Sequence, residues 1–174
     1  MIHAKSIHYF WAINEKMTEI RLIKKSDIPY IHWLENLQEY WYINEHPGPF
    51  ALEDIQDFFF PPKDYRVHKQ QRWMIYHSNE PVGVIDVFNL NFDTKQIGIG
   101  LLIPTIENHN RGIGSSAIHL VQQELKKHQE VLRIQALIDL TNLASLRLFE
   151  KCNFTRIENT TCMSREVAQF IYSF

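Results

Sequence analysis

A chain of 174 residues, 45% of them hydrophobic, holds enough material for one substantial core and is too apolar for a disordered segment. Twenty acidic against 18 basic side chains leave a formal net charge of −2, so no basic field marks nucleic acid as the main partner. No apolar run approaches the ~20 residues that span a bilayer, and two cysteines, Cys152 and Cys162, without a signal-peptide pattern point to free thiols in the reducing cytoplasm.

Residues 1–16 are aromatic, with Tyr9, Phe10 and Trp11 in a row, and have neither a long apolar stretch nor a small-residue cleavage site. They read as an extension ahead of a domain over 17–174. Ile20 and Leu22 alternate around Arg21 as a short first strand. Ser26-Asp27 offers an N-cap and Pro29 suits a first turn. Ile31, Leu34, Leu37 and Trp41 then follow at helical spacing, which predicts a helix to about Tyr42. Residues 44–49, N-E-H-P-G-P, are a loop by composition. Leu52, Ile55, Phe58 and Phe59 suggest a second helix, closed by Pro61-Pro62. Residues 73–76, 82–88 and 95–103 read as an antiparallel meander, with its first turn at Asn79-Glu80-Pro81. Residues 116–128 carry the apolar stripe Ala117, Leu120, Val121 and Leu125 of an amphipathic helix. A strand over 132–138, a helix over 143–151 and a strand over 166–174 complete the chain. There are no repeats, linkers or low-complexity runs.

The most informative stretch is H-N-R-G-I-G-S-S, residues 109–116, between the strand at 97–103 and the helix that follows. A strand, a glycine turn and a helix start together present backbone N–H groups that have no intrahelical partner, and the helix dipole favours an anion there. Gly112 and Gly114 lack Cβ and let a ligand approach the backbone. Arg111 adds a positive charge. A phosphorylated ligand is the physical reading. The spacing is neither G-x-x-x-x-G-K-[ST] nor G-x-G-x-x-G, which excludes a P-loop and a dinucleotide fingerprint.

Further on, Asn142, Ser145, Phe149, Glu150, Lys151 and Phe154 fall in the pattern N-x-x-[AS]-x-x-x-[YF]-E-K-x-G-F, and residues 109–114 fall in Q/R-x-x-G-x-G/A. The two blocks, in this order and at this spacing, resemble the GNAT superfamily of acetyl-CoA-dependent N-acyltransferases. The resemblance covers about residues 18–174. The segment V-G-V-I-D-V-F-N at 82–89 looks most like the bacterial polyamine and ribosomal-protein acetyltransferase branch. Three departures stand out. His109 replaces the usual Gln or Arg. Asn153 replaces Gly, and Asn is the next-best residue for a left-handed helix stop. Phe149 stands where many members carry a Tyr taken to protonate the leaving thiolate, a step a phenyl ring cannot perform.

The resemblance implies an α+β fold with a central, mostly antiparallel, twisted sheet and about four helices. It implies an enzyme in which a primary amine of a small molecule or peptide attacks the thioester of acetyl-CoA directly, in a ternary complex. A polyamine or a protein N-terminus would be the acceptor, and a symmetric dimer is common among such proteins. Neither a metal nor a membrane is implied. The coenzyme's pantetheine arm would pair with the strand end at Leu102 and Ile103, whose N–H groups would steady the developing oxyanion. Its pyrophosphate would rest on Arg111, Gly112, Ile113, Gly114, Ser115 and Ser116. Asn142 would bond the pantetheine amides, and Phe149, two turns along the same helix face, would pack beside the thioester.

The proton acceptor is sought among carboxylates. Asp86 interrupts the Val82, Val84, Phe88 face of a strand, where apolar neighbours would make it a base. Glu45 and His46 of the acceptor loop are alternatives. Acidic residues at 35, 39, 45, 53, 54 and 57 are positioned to wall a cationic acceptor's pocket, or simply to face solvent. Cys152 reads as a small buried apolar residue rather than a nucleophile. The missing Tyr motivates a rival function, a non-catalytic acyl-CoA-binding or regulatory module.

Overall fold

The computed structural model describes residues 18–43 and 48–174. The 1–16 extension, with Tyr9, Phe10 and Trp11, and the loop residues Glu45 and His46 lie outside the described residues. Seven strands form one sheet in the order β1-β2-β3-β4-β5-β7-β6. They are β1 Thr18–Leu22, β2 Gln70–His77, β3 Glu80–Asn91, β4 Gln96–Leu102, β5 Arg133–Asp139, β6 Thr155–Cys162 and β7 Arg165–Ser173. Five helices accompany them: α1 Ile28–Glu35, α2 Leu52–Phe59, the single turn α3 Tyr65–His68, α4 Ile113–Leu125 and α5 Leu143–Lys151. No described helix is long and apolar enough to cross a membrane.

The period-two alternation of the strands sorts side chains to two faces. Trp73, Ile75, Ile85, Val87, Ile97 and Ile99 enter the larger core against α4, whose Ile113, Ala117, Ile118, Val121 and Leu125 are buried. Met74 and Val84 point the other way, against Ile28, Ile31 and Leu34 of α1 and Ile55 of α2. Each such fully buried aliphatic side chain contributes on the order of 1.5–3 kcal/mol.

Several elements depart from expectation for identifiable reasons. The first helix stops at Glu35, and a 3-10 turn, Gln38–Ile43, takes over. Asn36 ends it. Its amide donates to the carbonyls of His32 and Phe50, and its Oδ1 accepts the Phe50 N–H at 2.8 Å, so the chain is drawn toward the following loop. The Trp41 indole closes the turn by donating to the Glu35 carbonyl at 2.9 Å. Asp27 does not cap α1 with its side chain. Instead it accepts from both Arg21 Nη atoms, at 2.7 and 2.8 Å, and from the Lys24 N–H and the Tyr76 hydroxyl. The first hairpin turns at Ser78 and Asn79, both at positive φ, one residue before the expected position. Strand β6 was not foreseen. Its sequence T-R-I-E-N-T-T-C is exposed nearly throughout, so no apolar alternation announces it. The α5 stop is as expected: Asn153 has φ +65, and the Phe154 N–H reaches back to the Phe149 carbonyl.

Candidate active site

The sheet has one parallel pair, and it is short. Strand β4 meets β5 only at Gln96↔Arg133, Ile97↔Ile134 and Gly98↔Gln135. Beyond Gly98, β4 continues on β3 as far as Val84↔Leu102, while β5 continues on β7 as far as Asp139↔Val167. The two strands therefore part, and the β5-facing edge of residues 99–102 has no strand partner. A V-shaped opening with a free backbone edge can take an extended polar chain as though it were another strand.

The glycine turn lies just past the end of β4. Gly112 is the N-cap of α4 at φ +80, and a Cβ built on it would meet nothing within 4 Å. The first α4 backbone bond joins Ser116 N–H to Gly112 C=O, so the amides of Ile113, Gly114 and Ser115 precede the helix ladder. Arg111 is exposed. Its guanidinium is held by the Asn108 Oδ1 and the His77 Nε2, each at 3.2 Å. Burial, and then Arg111 itself, hold the His77 imidazole below its usual pKa. His109 donates from Nε2 to the Ile103 carbonyl at 2.7 Å, which ties the turn to the β4 tip. This is what the unusual His achieves at the head of the loop.

Not every residue of the turn faces outward as expected. The Ile113 side chain is buried, so only its backbone is available. Ser115 turns its hydroxyl back to the Gly112 carbonyl. Gly114 lies where α4 comes close to α5 and β4. A Cβ there would lie 3.0 Å from Leu148 Cδ2 and 3.3 Å from Leu101 Cδ2, so those leucine ends would have to give by a few tenths of an ångström.

Asn142 caps α5, accepting the Ser145 N–H on Oδ1 at 3.0 Å, while its side-chain amide stays exposed. The turn before it is held by Asp139, which accepts from the Thr141 hydroxyl, the Thr141 N–H and Arg165 Nε. These bonds, Thr141's first, hold the Asp139 carboxyl down to about 2. Phe149 is 4% exposed and packs edge-to-face on Phe154, ring centroids 5.0 Å apart. It belongs to the core cluster, at the position the resemblance sets beside the thioester. Cys152 is fully buried, and burial pushes its thiol up to about 11, which leaves it no nucleophilic thiolate.

The α1/α2 face carries a cleft of about 640 Å³. Phe88 lines it and pairs with Gly98 in register, at the last residue that β4 shares with β5. Its ring lies over the bare backbone of Gly98, where a Cβ would come within 2.6 Å of it. The cleft floor is an ion triad. Arg72 donates from Nε and Nη2 to the two oxygens of Asp86, both at 2.7 Å, and from Nη1 to Glu35. Burial works against the Arg72 charge, but Asp86 and Glu35 outweigh it and raise its pKa. The expected setting of Asp86 is thereby corrected. It is not an isolated carboxylate among apolar neighbours, because a guanidinium spans both its oxygens. Of the acidic residues named for this region, Glu35 and Asp54 join Asp86 in lining the cleft. Glu39, Glu53 and Asp57 are exposed.

The sequence model of the acetyltransferase (GNAT) domain matches residues 18–155. The chain belongs to the GNAT acetyltransferase family. No curated protein sequence matches it. Solved structures share its fold: the aminoglycoside acetyltransferase AAC(6')-Ib in complex with coenzyme A, with a TM-score of 0.74 at 18% identity over 90% of this chain and 95% of that one. The spermidine N-acetyltransferase from Vibrio cholerae, in complex with CoA and spermine, gives 0.72 at 15% identity over 90% and 95%. RimL, a ribosomal alpha-N-protein acetyltransferase in complex with coenzyme A, gives 0.73 at 17% over 90% and 93%.

For an acetyltransferase, which draws its acetyl group from acetyl-CoA, the fit of the residues can be tested. The free β4 edge suits the amides of a pantetheine arm, and the open Gly112 turn beside Arg111 suits a diphosphate. The wedge brings Leu102 and Ile103 close to the loop through the His109 bond. Sequence reasoning missed Arg72, the centre of the acetyltransferase's ion triad. A cation alternating with apolar neighbours on a half-buried strand is the signal that would have drawn attention to it. It also missed Met163, which reaches the cleft from the β6–β7 turn. Nothing in local sequence connects that turn with α2.

Proposed function

We propose that this protein transfers the acetyl group of acetyl-CoA to a primary amine by direct attack in a ternary complex, with residues 17–174 as the single catalytic unit and 1–16 as an extension to it. The observation that carries the reading is that Phe88, a wall of the cleft, packs its ring on Gly98, the residue at which β4 and β5 part. A donor lying along the wedge toward Leu102 and Ile103 would run beside an acceptor in the cleft. Bound acetyl-CoA supplies the activated thioester carbonyl.

The chain's own residues do the rest. Amides of Gly112, Ile113, Gly114 and Ser115, with Arg111, hold the diphosphate, while the Ser116 N–H, expected to join them, is taken by the Gly112 carbonyl. The backbone at Leu102 and Ile103 donates to the carbonyl oxygen as charge develops on it. The exposed amide of Asn142 pins the pantetheine arm and so positions the thioester. The amine nitrogen bonds to the acetyl carbon, the carbon–sulfur bond breaks and the thiolate departs. The amine's proton passes to a cleft carboxylate, and Asp86, 28% exposed against 14% for Glu35, is the one an incoming amine reaches first. A thiol of pKa ~8.5 leaves without an acid, so the buried phenyl of Phe149 does not stop the reaction. The free thiols of Cys152 and Cys162 suit a reducing cytoplasm.

Calorimetric titration with coenzyme A, followed by thiol release from acetyl-CoA over a panel of amines, tests the reading. Arg111→Ala and Asn142→Ala are expected to raise the acetyl-CoA KM about tenfold each, the loss of one charge-assisted or one neutral hydrogen-bond set. Binding with no turnover on any amine would favour the acyl-CoA-binding module instead. No binding would remove both.

A further inference from the structure

The charge count and the rings of the cleft narrow the acceptor. Its apolar wall carries Phe50, Phe58, Phe59 and Phe88. Phe58 is 52% and Phe88 38% exposed, so these two rings are not consumed by the core. At the floor, Asp86 and Glu35 both grip Arg72, whose guanidinium lies 4.2 Å over the Phe59 ring. Two carboxylates against one guanidinium leave one negative charge. Asp54 and Lys63 also line the cleft, the Lys63 ammonium resting 3.6 Å over the Phe58 ring. These two offset each other. Among the described residues, then, the cleft has one anionic charge to offer.

An acceptor with several ammonium groups would have to leave bulk water with most of them unpaired, which is costly in a partly desolvated site. An acceptor with one ammonium and an apolar body matches what is there. Building on the acetyl-transfer reading, we propose that the acceptor is a primary monoamine carrying a ring on a short chain. Its ammonium sits over the Glu35–Arg72–Asp86 floor and its ring packs among the phenyl groups. A volume of about 640 Å³ accommodates such a molecule.

The test compares kcat/KM for 2-phenylethylamine, n-butylamine, spermidine, kanamycin and a peptide α-amine on the full chain. The ring-bearing monoamine is expected to exceed spermidine and kanamycin by at least about tenfold, the value of burying one ring. Phe58→Ala, a half-exposed position, is expected to lower the ratio of 2-phenylethylamine to n-butylamine kcat/KM about fivefold or more. Arg72→Gln is expected to shift preference toward spermidine by freeing a second negative charge. Spermidine, kanamycin or the peptide outrunning 2-phenylethylamine would overturn the acceptor class and leave acetyl transfer standing. An unchanged ring preference in Phe58→Ala would also overturn it. Coenzyme binding without turnover of any amine would overturn the transfer reading beneath it.

Discussion

Two glycines two positions apart illustrate how differently the same residue can be required. Gly112 sits at φ +80 with open space where a Cβ would go, so its need is conformational. Gly114 has no such backbone, and its need is room against Leu148 and Leu101. Gly112→Ala should therefore cost about 1 kcal/mol of stability through left-handed strain alone. Gly114→Ala should instead disturb the seat of α4. Chemical denaturation of both variants, with coenzyme titration, separates the two. A Gly112→Ala variant as stable as the parent would refute the conformational account. Asn142 shows the same division within one side chain. Its Oδ1 is occupied as an N-cap, worth about 1 kcal/mol, and its amide remains for a ligand.

At the scale of elements, the Arg72 triad ties α1 to β2 and β3 through three side chains that are each 28% exposed or less. Its worth lies in not leaving either carboxylate alone. Arg72→Met should destabilise the fold by about 3 kcal/mol, since two neighbouring carboxylates would then face each other in a half-dry cleft. Adding Glu35→Gln to that variant should recover part of the loss. A double-mutant cycle in urea measures the coupling, and additive effects would show that the triad is not a unit. The splay of β4 from β5 belongs to the same scale. It arises because β4 follows β3 in the meander while β5 follows β7, and the right-handed twist of each pair carries the two ends apart.

Over the whole molecule, the response to acid follows the carboxyls held below their usual range, which among the described residues are Asp27, Asp139 and, through its bonds to Arg66, Asp64. Burial alone would push Asp27 up, but the Arg21 guanidinium, the Lys24 N–H and the Tyr76 hydroxyl outweigh it and hold the carboxyl below its usual range. Asp139 is held at about 2. A carboxyl depressed in the folded state contributes stability above its unfolded pKa of ~4, and that contribution is lost as pH falls through the folded value. The melting temperature should therefore drop steeply between about pH 4 and 2. Asp27→Asn should flatten part of the drop while lowering Tm at neutral pH. A Tm profile that was already falling between pH 7 and 5 with the same slope in both proteins would contradict this assignment.

How much could be read in advance follows from the range of each interaction. The order of strands and helices, the glycine turn, the α5 cap and the Asn153 stop rest on contacts within about seven residues, and the chain declares those locally. Family membership was legible for the same reason, since both motif blocks are local and their order is linear. The early end of α1 was not, because the side chain that ends it, Asn36, answers to Phe50 across a loop. Strand β6 was hidden because an exposed edge needs no apolar alternation. Above all, the partners of Asp86 and the shape of the cleft depend on residues 14 and 37 positions from Arg72, brought together by sheet register and by α1 packing on the far face. Local chemistry determined which elements this protein builds. Only the packed sheet decided which charges neutralise one another, because Glu35, Arg72 and Asp86 meet through register and helix packing rather than through chain proximity.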